Sequence, residues 1–185
     1  MHNNWDYLGS QPAFETQIMK VRLDRYHFKP GRLTHDYTVL EFGDWVNVIA
    51  LTPQNQVVLI RQWRHGVRQT CLEIPGGMID PQDASPAAAA ARELEEETGY
   101  VAAELVHLGT VQANPAIQNN LCHTYLALDA RPAGQQNFDP TELIELELRS
   151  IDETFSLLRD GTIGHSLVVA AFAHYLLHQQ SNTVE

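Results

Sequence analysis

Residues 85–99 constrain the fold most, because both ends of a helix are written into them. Ser85 is a side-chain acceptor suited to an N-cap, Pro86 fits a first helical turn without losing a backbone bond, and Gly99 can take the left-handed conformation that ends a helix. Ala87 to Ala91 between them are strong helix formers. With successive residues turned by about 100°, Glu93, Glu96 and Glu97 fall on one face of this helix and Glu95 points to the other side. Like charges at these spacings repel by a few tenths of a kcal/mol per pair, so something must compensate. Arg92 is one candidate, and a hard cation that takes oxygen ligands, Mg²⁺ or Mn²⁺, is another. A plain acidic, solvated face is the alternative. The Gly76-Gly77 loop entering beside the helix favours the cation, because a backbone without side chains lets carbonyls and N–H groups approach a metal and phosphate oxygens closely.

Around this segment the chain reads as strands first and helices last. Residues 16–29 alternate loosely up to the Pro30-Gly31 turn, and a hairpin should follow; strands are expected over residues 34–41 and 45–51, separated by Gly43. Pro53-Gln54-Asn55 turns the chain into a strand over residues 56–63, and another over residues 70–74 runs into Pro75-Gly76-Gly77. Later strands are expected near residues 105–112, 123–128 and 143–148. Asp152 is taken as the N-cap of a helix reaching Leu158, and residues 161–164 separate it from an apolar helix starting at Ser166. Few helices lie between the strands, which predicts an α+β sandwich with a mixed sheet rather than a doubly wound α/β fold. A chain of 185 residues, 44% apolar, is one domain, with residues 1–44 forming an antiparallel β extension and residues 45–185 the body.

Charge and cysteine content exclude several functions. A formal net charge of −11 opposes binding to polymeric nucleic acid, although a bound divalent cation would still admit a small phosphorylated metabolite. Cys71 and Cys122 lack zinc or redox-pair spacing and are read as buried thiols. The nine histidines form no ligand pair, His123 reads as a core or pocket residue, and no serine sits in a nucleophile elbow. No apolar run is long enough to span a bilayer, and residues 1–10 lack the pattern of a secretory signal, so a cytoplasmic protein without membrane partners is expected.

Residues 77–100 resemble the Nudix box, the loop-helix-loop signature of hydrolases acting on a nucleoside diphosphate linked to another moiety. Arg92-Glu93-Leu94-Glu95-Glu96-Glu97-Thr98-Gly99-Tyr100 matches its helical half at each specified position. In the first half Asp83 stands where glutamate is usual, and one extra residue precedes Pro86. The resemblance implies a Nudix α/β/α sandwich. It also implies that Glu93 and Glu97 ligate metal, that Glu96 ligates metal or orients the water, that the Gly76 carbonyl adds a ligand, and that Arg92 braces the helix face.

Outside the box the chain resembles the branch that hydrolyses ADP-ribose and nucleotide sugars. There an N-terminal β segment packs across a homodimer and lends aromatic residues to the partner's base pocket; Tyr37, Trp5, Tyr26 and Phe28 are the surfaces on offer, with core packing as the competing role. Arg64, in Arg61-Gln62-Trp63-Arg64, is expected to contact the diphosphate, with an ion pair to Glu73 or Asp80 as the alternative. Glu73 and Pro115 are further substrate-binding candidates, Pro115 because ADP-ribose hydrolases carry a proline at about this distance beyond the box. For the general base, Glu96 and Glu97 compete with Glu142 on a later loop, and Asp139 and Glu145 are alternatives. The implied reaction is Mg²⁺-dependent hydrolysis of a nucleoside diphosphate sugar, ADP-ribose first, to a nucleoside monophosphate and a sugar phosphate. The runners-up are a Nudix hydrolase of a dinucleoside polyphosphate, NADH or an oxidised nucleoside triphosphate, and a non-catalytic ADP-ribose sensor, which would be expected to have lost box carboxylates.

Overall fold

The computed structural model describes residues 4–138 and 143–182, with the side chain of residue 182 left aside. The chain forms two units, one of residues 1–44 with 112–121 and the other of residues 45–111 with 122–185. In the first, β1 (Trp5–Glu15), β2 (Lys20–Phe28) and β3 (Leu33–Glu41) form an antiparallel sheet in the order β1-β2-β3. Alternation in the sequence predicts β2 and β3 but not β1. Two register shifts, at Tyr7/Gly9 and Pro12/Phe14, re-phase the alternation of β1, and Pro12 is tolerated because β1 is an edge strand. Residues 112–121 join this unit through the Leu40 N–H donating to Ile117 O at 2.7 Å and the Leu121 N–H donating to the Asp44 carboxylate at 2.8 Å.

Apart from the end residues Gln112 and Leu121, the second unit contains β4 (Trp45–Ala50), β5 (Gln56–Arg64), β6 (Gln69–Glu73), α1 (Pro86–Thr98), β7 (Tyr100–Val101), β8 (Leu105–Gln112), β9 (Leu121–Ala127), β10 (Arg131–Pro132), β11 (Ile144–Ser150), α2 (Ile151–Arg159) and α3 (Ser166–Asn182). Two three-stranded sheets, β11-β5-β6 and β4-β9-β8, carry the body, and β10-β7 is a short third pair. The β4–β9 pairing is parallel, whereas β5 pairs antiparallel with both β6 and β11, so the strand directions are mixed as expected.

Alternation along β4 and β5 separates two cores. Val46, Val48, Ala50 and Val58 pack with Ala89, Ala90 and Leu94 of α1. Ile49, Leu51, Val57 and Leu59 pack with Val168, Ala171 and Phe172 of α3, and Phe155 of α2 lies against them. Helices thus cover opposite faces of the strands, the arrangement of an α/β/α sandwich. Burying a side chain such as Leu94 contributes about 1.5–3 kcal/mol, which holds α1 to β4 by its apolar face and leaves Glu93 and Glu96 at the margin.

The cap of α2 is Ser150, not Asp152. Its hydroxyl accepts from the Glu153 N–H while the Glu153 carboxylate accepts from the Ser150 N–H, a complete capping box. Cys122 is buried as expected, but Cys71 on β6 is only half-buried, and neither is in a disulfide. No helix of the described residues is long and apolar enough to cross a membrane.

Candidate active site

Helix α1 begins as its sequence prescribes. Ser85 Oγ accepts from the Ala88 N–H at 3.1 Å, Pro86 occupies the first turn, and Gly99 ends the helix at φ 70°, its N–H donating to Glu95 O. Residues beyond the helix complete its C-terminus. The Gln136 side-chain amide donates to Glu97 O and the Asn137 N–H to Glu96 O, both at 2.9 Å, using carbonyls that a helix end leaves without internal partners.

Glu93, Glu96 and Glu97 share one face of α1, and the Gly76-Gly77 backbone lies against it. The Gly76 N–H donates to Glu97 Oε2 at 2.8 Å, and Glu97 is only 5% exposed. A Cβ on Gly76 would collide with Val46 O, so no side chain fits there, and one on Gly77 would lie 2.6 Å from Glu93 Oε1 and push that carboxylate aside. Both glycines are needed for this close approach.

Arg92 balances the charge. Its Nη1 donates to Glu93 Oε1 and Glu96 Oε2, each at 2.9 Å; Nε and Nη2 form a fork on Asp83 at 3.1 and 2.9 Å; and Nη2 also reaches Met78 O. Asp83 therefore holds Arg92 from the loop despite being one methylene shorter than the usual glutamate. Its second oxygen also accepts from the Asp80 N–H at 2.8 Å. The hydrogen bond from Arg92 keeps the Asp83 carboxyl below the usual range, and the surrounding carboxylates, Asp83 first, raise the Arg92 pKa.

A second ionic group lies at the junction of β5 and β6. Arg64 donates through Nε and Nη2 to the two oxygens of Glu73, at 2.9 and 2.8 Å, and His165 Nδ1 lies 2.8 Å from Glu73 Oε2. Burial pushes the Glu73 carboxyl up, but Arg64 and His165 together outweigh it and bring its pKa down to about 2. At 2% exposure and with both oxygens engaged, Glu73 anchors Arg64 in this structure. Arg64 forms the ion pair foreseen as its alternative and also lies within electrostatic reach of Glu97.

The carboxylates of α1, Arg92, Gly76, Arg64 and Glu73 therefore all belong to the second unit. Tyr37 and Pro115 belong to the first, where the Tyr37 ring packs edge-on against Trp5, Tyr26 and His35. Glu142 and Asp139 lie outside the described residues, and Glu145 is exposed on β11 opposite Arg61. His123 is half-buried and hydrogen-bonded to Thr110. His165 and Gln136 were not foreseen. The 92 positions between His165 and Glu73 leave no local signal in the sequence.

For metal binding, the donors on the face of α1 are all carboxylate oxygens, the type a hard divalent cation takes. As they stand, Glu93 and Glu96 turn onto Arg92 and Glu97 onto the Gly76 amide. Among the described residues no group of three or more His, Cys, Asp or Glu side chains is gathered as a ready metal cage. The donor chemistry fits a divalent ion, with the guanidinium sharing two of its oxygens.

Comparison with known proteins shows the family and the fold. The chain is 28% identical over 157 residues to an ADP-ribose pyrophosphatase of Bacillus subtilis, covering 84% of each chain. It is 40% identical over 159 residues to a CMP-5'-(N-acetyl-N-hydroxy-3-aminopropyl)phosphonate hydrolase of Streptomyces rubellomurinus, covering 85% of this chain and 75% of that one. A crystal structure of an ADP compounds hydrolase shares the fold at a TM-score of 0.84 and 20% identity, over 97% of this chain and 96% of the other. The NUDIX domain model matches residues 42–172, which take in the whole helix with its glycine loop, and the chain belongs to the Nudix hydrolase family.

Proposed function

We propose that this Nudix hydrolase cleaves the pyrophosphate bond of a nucleoside diphosphate sugar, ADP-ribose first, releasing a nucleoside monophosphate and a sugar phosphate. The observation that carries the proposal is the face of α1, where Glu93, Glu96 and Glu97 lie against a side-chain-free Gly76-Gly77 backbone, with Arg64 held nearby by Glu73. Nudix hydrolases generally depend on a divalent metal. Here Glu93, Glu96 and Glu97 with the Gly76 carbonyl would hold Mg²⁺ or Mn²⁺, which when bound offsets charge on the diphosphate oxygens and acidifies water. Glu73 engages Nε and Nη2 of Arg64, so the opposite edge of the guanidinium meets the phosphate oxygens. Glu97 or Glu96 takes the proton of the attacking water, or Glu142, two residues before β11 in the sequence, does so. The name of the Bacillus subtilis relative supports ADP-ribose, and that of the Streptomyces relative makes a cytidylate-linked phosphonate the second substrate to test. We further propose that residues 1–44 mediate a homodimer and that Tyr37 and Pro115 contribute to the substrate pocket.

The test is monophosphate release, in Mg²⁺, from ADP-ribose, ADP-glucose, GDP-mannose, a CMP-linked phosphonate and nucleoside triphosphates. Release should be fastest from a sugar-linked diphosphate. Comparable turnover of the triphosphates would point to another nucleotide class, and tight binding without turnover to a sensor. Glu97→Gln keeps an oxygen for the Gly76 N–H and removes the charge, so it should lower kcat by roughly 100-fold or more with little change in Tm. A near-normal rate would reject the role given to Glu97.

A further inference from the structure

We infer that His165 is a positioning residue for Arg64, acting through the buried carboxylate of Glu73. The inference rests on the reading of Arg64 as a diphosphate contact. The Arg64 side chain is 39% exposed, and an arginine so open would sample many rotamers unless something held it. The fork onto Glu73 sets the guanidinium plane only as firmly as the carboxylate plane is itself set. Glu73 Oε2 accepts from two donors, Arg64 Nη2 and His165 Nδ1, both at 2.8 Å. Because an ionised carboxylate only accepts, Nδ1 carries the hydrogen. The imidazole thus adds a constraint on the carboxylate that comes from a different part of the chain.

The position of His165 is itself fixed by the core. Its carbonyl accepts from the Val168 and Val169 N–H groups at 3.0 Å, so His165 forms the entry to α3. That helix is pinned by Val168, Ala171 and Phe172, each no more than 2% exposed. Packing of α3 is therefore relayed through His165 and Glu73 to the plane of a half-exposed guanidinium.

The experiment is a double-mutant cycle on the whole chain, with kcat and KM for ADP-ribose in Mg²⁺ and the Kd for ADP-ribose in EDTA. Arg64→Ala should lower kcat/KM by roughly 100-fold, and His165→Ala by roughly tenfold, the loss typical of removing an outer-shell partner. In the Arg64→Ala background, His165→Ala should cost nothing more. His165→Asn, whose amide nitrogen can take the place of Nδ1, should recover most of the rate. If Arg64→Ala turns over normally, the reading of Arg64 fails and this inference falls with it. If Arg64→Ala is impaired but His165→Ala is normal, or its loss persists undiminished in the double variant, positioning through Arg64 is overturned while the role of Arg64 itself stands. Should His165→Ala not fold, His165→Leu, which fills the space without a donor, takes its place in the cycle.

Discussion

Arg92 illustrates how single residues set this site. Its side chain is 24% exposed and its partner Asp83 only 7%, so removing the guanidinium leaves a largely buried carboxylate without its cation and releases repulsion between Glu93 and Glu96. Leaving a part-buried carboxylate without its partner costs about 1–3 kcal/mol, more than an exposed ion pair contributes. Arg92→Ala is therefore expected to lower the urea-unfolding free energy by about 2 kcal/mol. Arg92→Lys should recover little of it, since an ammonium cannot make the fork onto Asp83 while also reaching Glu93 and Glu96. A lysine variant as stable as the parent chain would show that charge alone, without planar geometry, accounts for Arg92. At this scale spacing alone places Glu93, Glu96 and Glu97 together, because a helix converts sequence distance into a face. The hydrogen bond from His165 to Glu73 joins residues that no local periodicity connects, and only the folded chain displays it.

Helix α1 is the element whose boundaries matter most, since a frayed first turn would loosen the loop bearing Asp83 and, through Arg92, Glu93. Ser85→Ala removes the hydroxyl that accepts from the Ala88 N–H, and losing such a cap costs about 1 kcal/mol. The variant is expected to unfold at lower denaturant by that amount with an unchanged m-value, while Ser85→Asp restores the acceptor and the stability. An alanine variant indistinguishable from the parent would show that Pro86 and the packing of Ala89, Ala90 and Leu94 define the helix start without it. Where cap and period agree, as in α1, both ends are legible in the sequence. Elsewhere local rules competed: Asp152 is a good cap in isolation, but Ser150 with Glu153 three residues on forms the reciprocal box and prevails. β1 was hidden because its bulges break the two-residue period, and β7 and β10 because two residues are too few to carry one.

For the molecule as a whole, the unresolved demand on the sequence is what covers the sheet of residues 5–41. Trp5, Tyr26, Phe28 and Tyr37 form a connected ring cluster, and the strand register places Tyr7 and Leu33 on the same face, 56% and 59% exposed. The proposed homodimer would cover this face, since an exposed apolar patch of this kind is suited to an interaction surface. A second copy of the chain, the proposed partner, carries the same net charge of −11, so association must draw on apolar contact against charge repulsion. Two consequences separate this from charge-driven assembly. Sedimentation at micromolar concentration should show a dimer that tightens as salt rises from about 0.05 to 0.5 M, because screening weakens the repulsion and leaves the apolar contact intact. Tyr7→Lys combined with Leu33→Lys should shift the chain to monomer even though it lowers the net negative charge, which on electrostatic grounds alone would favour association. A monomer at every concentration and salt, or a double variant that dimerises as well as the parent, would remove this face as the site of self-association.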